Sequence, residues 1–327
     1  LTCDHVAQEV PPYAAFVADQ VAKLGRSHPM VKTQYYSEDI DAEGGLFPPE
    51  RLALLYGSHP PQLHPSPGKI YAAALDLAGE DEQDGQDIEA LRTPATGSSS
   101  GWGAYPARDS TALTIVEVDL HTLNDPGLLL PSYRVVYRQS WIGIKHTNLY
   151  GQILNLATTW NLKFLITDAT GVGAGITSFL ARSLGDKVIP FVFNSRTKSD
   201  LGWSFLALVD SGRLQDYGCP EDGSLDRPER HQAAPGVCQP HGRLAQLHEL
   251  YFQQLIATQY EIIPGPDKKI KWSVPDGTRD LASGELVHDD LVLSAALLAM
   301  LDQQAWSITG PAAVVKAPDP LDDMKGF

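Results

Sequence analysis

The sequence predicts an α/β protein built on a mixed five-stranded sheet with helices on both faces. Three observations carry that expectation. "KIYAAALDLAG", from Lys69, is almost unbroken in apolar residues, as a strand covered on both faces requires. "TALTIVEVDL" and "YRVVYRQSW" follow with no helical segment between them, so these three strands can pair as an antiparallel meander. "LKFLITDAT" and "VIPFVF" come later, each preceded by a helical pattern, and strands connected in that way add in parallel.

The elements follow in order. Residues 1–66 read as a lead-in. "YAAFVADQVAKLG" repeats Phe16, Val17, Val21 and Leu24 at helical spacing, and Gly25 can end the helix. "PPERLALLYG" predicts a second helix, and the prolines of "HPPQLHPSPG" resist both helix and sheet, which makes that stretch a linker. The main domain then spans 67–310, with polar insertions at about 79–109 and 218–241. Within "YRVVYRQSW", Tyr133, Val135 and Tyr137 alternate with Arg134, Val136 and Arg138, the pattern of a half-exposed strand. "HTNLYGQILNLATTWN" sets Leu149, Ile153, Leu156 and Trp160 along one helical face.

Further helices are expected from about Ala174, over roughly 197–212, over "RLAQLHELYFQQLIAT" and over "DDLVLSAALLAMLDQQ". Two short strands flank the Pro-Gly-Pro turn of "YEIIPGPDKKIKWSV", and 311–327 reads as a flexible tail. Three antiparallel strands followed by two parallel ones is the RNase H-like arrangement.

Composition narrows the function. The formal charge of −15 argues against general electrostatic attraction to nucleic acid. It leaves room for a metal-dependent nuclease, whose carboxylates reach phosphate through cations. Much of the acid lies in one run, Glu80, Asp81, Glu82, Asp84, Asp87 and Glu89, the signature of a solvated loop. No apolar run reaches the length of a membrane span. Three cysteines give no disulfide framework and fit a reducing compartment. Cys219, His231, Cys238 and His241 lack the short C-x-x-C pairs of a zinc site and read as part of the insertion.

The chemistry concentrates in aspartates. Asp76 lies near the end of the first strand and Asp168 near the end of the fourth. If those strands are parallel neighbours, both side chains emerge at one edge of the sheet, where open α/β sheets place their sites. Asp289 and Asp290 open the last long helix after His288, and packing that helix across the sheet would bring them to the same edge. Clustered carboxylates suit the hard cations Mg²⁺ and Mn²⁺, and a pair of such ions can hydrolyse a phosphodiester. The plainer alternatives are a turn aspartate at position 76 and a simple helix cap at 289 or 290. Lys198, Lys268, Lys269 and Lys271 are candidate phosphate contacts, although exposed lysines commonly serve solubility alone.

The glycines after Asp168 invite comparison with a nucleotide loop. Gly171, Gly173 and Gly175 give G-x-G-x-G rather than G-x-G-x-x-G, and "KVIPFVFNSR" offers no acid to hold a ribose. No G-x-x-x-x-G-K-[ST] occurs anywhere in the chain. The glycines are better explained as a tight turn beside a metal-binding Asp168. A Holliday-junction or transposase-like nuclease, a non-catalytic docking module and, last, a nucleotide-binding oxidoreductase are the competing readings.

"LITDATGVGAGITSFL" and "HDDLVLSAALLAM" resemble the nuclease motifs of the large terminase subunit of tailed bacteriophages, and "AAALDLAGED" sits where that family carries its first catalytic aspartate. "HPMVKTQYYSEDIDAEGGLFP" is similar to the segment that joins the family's ATPase domain to its nuclease. The resemblance covers most of residues 28–303. It implies an endonuclease that cuts concatemeric viral DNA during packaging, with Asp76, Asp168 and Asp290 as catalytic metal ligands, Asp289 as auxiliary, and two Mg²⁺ or Mn²⁺ ions. It further implies double-stranded DNA as substrate, the portal and small terminase subunit as partners, and the host bacterial cytoplasm as location. The hairpin "YEIIPGPDKKIKWSV" would then present its lysines to DNA. The family's ATPase domain is missing from this chain, which therefore reads as the C-terminal portion of a longer protein.

Overall fold

A computed structural model describes residues 3–24, 26, 31–36, 43–78, 110–125, 128–218, 242–265, 268–280 and 284–306. In chain order the helices are α1 (Cys3–Glu9), α2 (Pro11–Leu24), α3 (Pro49–Leu55), α4 (His146–Thr159), α5 (Gly173–Leu184), α6 (Ser195–Asp210), α7 (Arg243–Ala257) and α8 (Asp290–Leu297). The strands are β1 (Glu43–Gly45), β2 (Ile70–Asp76), β3 (Ser110–Asp119), β4 (Ser132–Ile142), β5 (Phe164–Asp168), β6 (Val188–Phe191), β7 (Leu214–Gln215), β8 (Gln259–Ile262) and β9 (Ile270–Ser273).

The main sheet has the order β6-β5-β2-β3-β4-β7. β3 runs antiparallel between β2 and β4, while β5 pairs parallel with β2 and β6 parallel with β5. That is the expected RNase H-like sheet, extended to six strands by the two-residue β7 beside β4. A run as short as Leu214–Gln215 has no periodicity to betray it. β1, β8 and β9 form a separate small sheet.

Each face of β2 builds its own core. Tyr71, Ala73 and Leu75 join Leu149, Ile153 and Trp160 of the α4 side and Ile176 and Leu180 of α5. Ala72 and Ala74 join Leu291, Val292, Ala295 and Ala296 of α8 on the opposite face. The small side chains let α8 lie close to the sheet. The fully buried Ser294 hydroxyl bridges that contact, reaching the Ala74 carbonyl at 3.1 Å and Thr114 Oγ1 at 2.9 Å.

The structure corrects two expectations. The helix expected over "DDLVLSAALLAMLDQQ" is α-helical only to Leu297 and tightens into a 3₁₀ turn over Leu298–Gln303. Asp302 in that turn accepts from Arg213 Nη1 at 2.9 Å, Arg213 Nη2 at 2.7 Å and the Tyr133 hydroxyl at 2.8 Å. The regular alternation of β4 also fails. Ile115 pairs with Tyr137 and Val116 with Val135, so Val136 has no partner and forms a bulge. Beyond the bulge the two sides exchange, and Val136 and Arg138 are buried rather than exposed.

Arg138 is fully buried, and its Nη1 lies 2.9 Å from both carboxylate oxygens of the equally buried Asp216. Its guanidinium sits 3.8 Å from the centroid of the Tyr251 ring, a cation–π contact. Asp216 also accepts from the Tyr217 amide at 2.9 Å and stands 3.2 Å from His248 Nδ1. Its backbone carbonyl accepts from Gly57, so the cluster also fixes the chain leading out of α3. Removing one member of such a pair leaves an uncompensated buried charge. Asp216→Ala is expected to lower the unfolding free energy by about 3–5 kcal/mol in urea titrations, and adding Arg138→Met should recover part of that loss.

Candidate metal centre

The sheet brings two of the aspartates together by register alone. β2 and β5 pair in parallel from Ala72↔Phe164 to Leu75↔Thr167, and the next step sets Asp76 beside Asp168. Asp76 shares the face of Ala72 and Ala74, and Asp168 that of Ile166, which is the face covered by α8. Asp290 opens α8 at the same edge. All three carboxylates are 7% exposed.

Asp168 and Asp290 are held by their neighbours. Asp168 Oδ1 accepts from the Thr170 amide at 2.8 Å, a turn closed by the aspartate itself, and its backbone carbonyl accepts from Thr177 Oγ1 at 3.1 Å. Gly171 adopts φ +53°, and a Cβ on Gly173 would stand 2.7 Å from the Asp168 carbonyl oxygen. The glycines therefore let α5 begin tightly against Asp168. Asp290 Oδ2 accepts from both the Ser110 amide at 2.9 Å and the Ser110 hydroxyl at 2.6 Å.

Helix capping does not account for the acid pair. Asp289 occupies the N-cap of α8 without a side-chain capping bond. The buried Gln254 of α7 performs that task, its Oε1 accepting from Leu291 N at 2.9 Å and Val292 N at 3.3 Å. Asp289 instead lies 3.9 Å from Lys198 Nζ.

The electrostatics follow from this packing. Burial, followed by the charges of Asp290, Asp168 and Asp289, drives the Asp76 carboxyl well above the usual carboxylate range, and Lys198 acts in the opposite sense. Burial also raises Asp168, opposed by its hydrogen bonds to Thr170. Among the described residues, no group of three or more His, Cys, Asp or Glu side chains is placed so that it could hold a metal ion as it stands. The fit to a cation rests on donor type and charge. The oxygens are hard ligands, and like charges crowded out of water are what a divalent ion would relieve.

Of the candidate lysines, Lys198 stands at the acids. It lies in the first turn of α6, where Asn194 and Thr197 form a reciprocal cap. Its Nζ is 5.3 Å from the centroid of the Trp272 ring, and its carbonyl accepts from Trp272 Nε1 at 2.8 Å. Ile270 N donates to Ser199 Oγ at 3.0 Å, so the β8–β9 hairpin docks on the same helix turn. Gly202 makes room for it, because a Cβ there would collide with Trp272 Nε1. Lys268 and Lys271 are exposed on this hairpin and Lys269 is half-buried.

Ser110, Thr170, Gln254 and Trp272 are the supporting residues that sequence reasoning missed. Only Thr170 carried a local signal, its place two residues after an aspartate at a turn. The acidic run at 80–89 and the residues Cys219, His231, Cys238 and His241 lie outside the described residues.

No family model matches the chain. A probable terminase ATPase subunit of Haemophilus phage HP1 is 24% identical over 120 residues, covering 36% of this chain and 19% of that protein. The large terminase nuclease of thermophilic phage G20c, solved with magnesium bound, aligns at 15% identity and a TM-score of 0.45 over 78% of this chain and 96% of its own. That nuclease has also been solved with cobalt. The nuclease domain from Thermus phage P74-26 aligns at 13% identity and a TM-score of 0.45 over 81% and 98%. The corresponding domain of bacterial virus Sf6 aligns at 10% and 0.42 over 81% and 100%.

The likeness is to phage terminase nucleases. The chain spans about a fifth of its curated terminase relative and nearly the whole of the solved terminase nuclease domains. No helix among the described residues is long and apolar enough to cross a membrane.

The crowded acids have a consequence for stability. A carboxyl whose pKa is raised by folding holds its proton more tightly in the folded state, so its ionised form costs stability at neutral pH. That cost vanishes as the pH falls below the unfolded carboxylate value. Asp76→Asn is therefore expected to raise the melting temperature of the metal-free protein at neutral pH, by less as the medium is acidified. Thermal unfolding in EDTA across a pH series checks it, and a fall in melting temperature at neutral pH would contradict it.

Proposed function

We propose that this chain is a metal-dependent DNA endonuclease that cuts concatemeric viral DNA during genome packaging. The observation that carries the reading is the meeting of Asp76, Asp168 and Asp290, from two strands and a helix, at one buried edge. Gln254 has already taken over the capping duty that would otherwise explain the acid pair. The motif resemblance of "TDATGVG" and "HDDLVLS" to terminase nucleases supports the same conclusion.

On this reading Asp76, Asp168 and Asp290 hold the cations, with Asp289 as auxiliary. Mg²⁺ or Mn²⁺, when bound, supplies activation of a water and stabilisation of the leaving oxygen of the phosphodiester. The chain's own contribution is to fix four carboxylates from distant segments before substrate arrives. Lys198, held between Asp289 and the Trp272 ring, sets one positive charge at the rim. Lys268, Lys269 and Lys271 contact the DNA backbone from the hairpin.

Residues 67–310 form the nuclease domain on this reading and 1–66 its connection to an ATPase domain of the same protein; the tail expected over 311–327 lies outside the described residues. Portal and small terminase subunit are the partners, and the host bacterial cytoplasm is the setting.

Supercoiled plasmid incubated with Mn²⁺ or Mg²⁺ is expected to be nicked and linearised. EDTA should abolish the cutting, and Asp168→Ala should reduce it to background with an unchanged circular-dichroism spectrum. Cutting that survives Asp168→Ala would remove the proposed site, and inertness of the native chain with either metal would favour a docking role. Joint replacement of Lys268, Lys269 and Lys271 by Ala is expected to weaken duplex binding and to flatten the log K against log salt slope by about 2–3. An unchanged slope in a fluorescence-anisotropy titration would take the hairpin out of the interface.

A further inference from the structure

We propose that Ser110 is a positioning residue for Asp290, setting the affinity of the acid centre for its cations; the inference rests on the nuclease reading above. Ser110 is the first residue of β3. β3 runs antiparallel to β2 with Asp76 opposite Ala112, so the start of β3 lies two residues beyond the acid, at the same sheet edge. There Ser110 places two donors, its amide at 2.9 Å and its hydroxyl at 2.6 Å, on the same oxygen of Asp290. Two donors on one carboxylate oxygen restrict rotation of the group as well as its position. The short hydroxyl contact is of the charge-assisted kind, stronger than a neutral hydrogen bond.

The rest of the surroundings explain why such a tether is needed. Asp290 sits at the very start of α8, where helix ends fray. Gln254 secures the amides of Leu291 and Val292. The neighbouring carboxylate of Asp76 repels it. The next residue on β3, Thr111, is itself tied back by the Ala78 amide, which donates to Thr111 Oγ1 at 3.1 Å, so the base from which Ser110 acts is fixed. Groups that orient a ligand in this way commonly affect metal affinity strongly while leaving the fold alone.

The test is calorimetric titration of Mn²⁺ into the native chain and into Ser110→Ala, Ser110→Thr and Ser110→Val, with melting curves in EDTA as the check on folding. Ser110→Ala and Ser110→Val are expected to bind Mn²⁺ about tenfold more weakly, while Ser110→Thr, which keeps the hydroxyl, stays within about twofold of native. In plasmid cutting the half-saturating Mn²⁺ concentration should rise by the same factor, with the rate at saturating metal little changed.

Thr and Val have nearly the same shape, so that pair carries the comparison even if Ser110→Ala melts early. Equal affinities for Ser110→Thr and Ser110→Val would overturn the role of the hydroxyl. A native chain that takes up no Mn²⁺ would instead overturn the nuclease reading, and this inference with it.

Discussion

The seating of α8 against β2 and β3 is the contact on which the acid centre depends. Two of the three buried carboxylates come from adjacent strands and would stand together in any protein with this register. The third arrives only if α8 lies close to the sheet with its first turn at the right edge. Ala72, Ala74 and Ala112 on the sheet and Ala295 and Ala296 on the helix permit that closeness. Ser294 fixes the register by bonding across the contact. A single larger side chain among these positions would lift the helix and, with it, Asp290.

The same helix shows how local needs are met by distant groups. A helix N-terminus buried against a sheet must satisfy its first amides, and the residue at the cap position would ordinarily do so. Here a glutamine from α7 does it, and the two acids at the start of α8 are released for other contacts. One of them is gripped by β3 and the other faces the lysine of α6. The centre is thus assembled from β2, β3, β5, α6 and α8, with α7 contributing support alone. Such an arrangement holds like charges near one another before any ligand arrives, which suits preorganised electrostatic chemistry at a cost in stability.

The extent to which this could be read from the chain follows from the range of the interactions. The strand order was legible because each central strand is an apolar run of the right length, and Asp76 and Asp168 stood out as charges at the ends of such runs. The hairpin and most helices were legible from spacing and turn residues. Arg138 was not, because a one-residue bulge at Val136 inverts every side chain beyond it while leaving no mark in the residue types. β7 was too short to carry a pattern. Ser110 and Gln254 were also illegible, since a serine at the end of a polar stretch and a glutamine inside a helix are ordinary residues until their partners, 180 and 37 positions away, are known. At the acid centre, sequence reasoning thus singled out the charged groups and missed the neutral ones beside them.

Net charge and local charge lead to different expectations here, and the local arrangement decides. A chain of formal charge −15 repels a polyanion at long range, and salt screens that repulsion beyond about 10 Å at ~0.1 M ionic strength. On the proposed reading, what would act at contact distance is the set of lysines on the hairpin together with Lys198, the hairpin being mounted on the same turn of α6 through Trp272 and Ser199. The hairpin's position is therefore tied to that of the lysine beside Asp289. The hairpin and the lysine beside Asp289 are thus joined through one turn of α6, in which Gly202 is the clearance that lets the indole sit. On the proposed nuclease reading, weak attraction overall with a cationic arm beside the acids favours DNA delivered by a partner over DNA captured from solution.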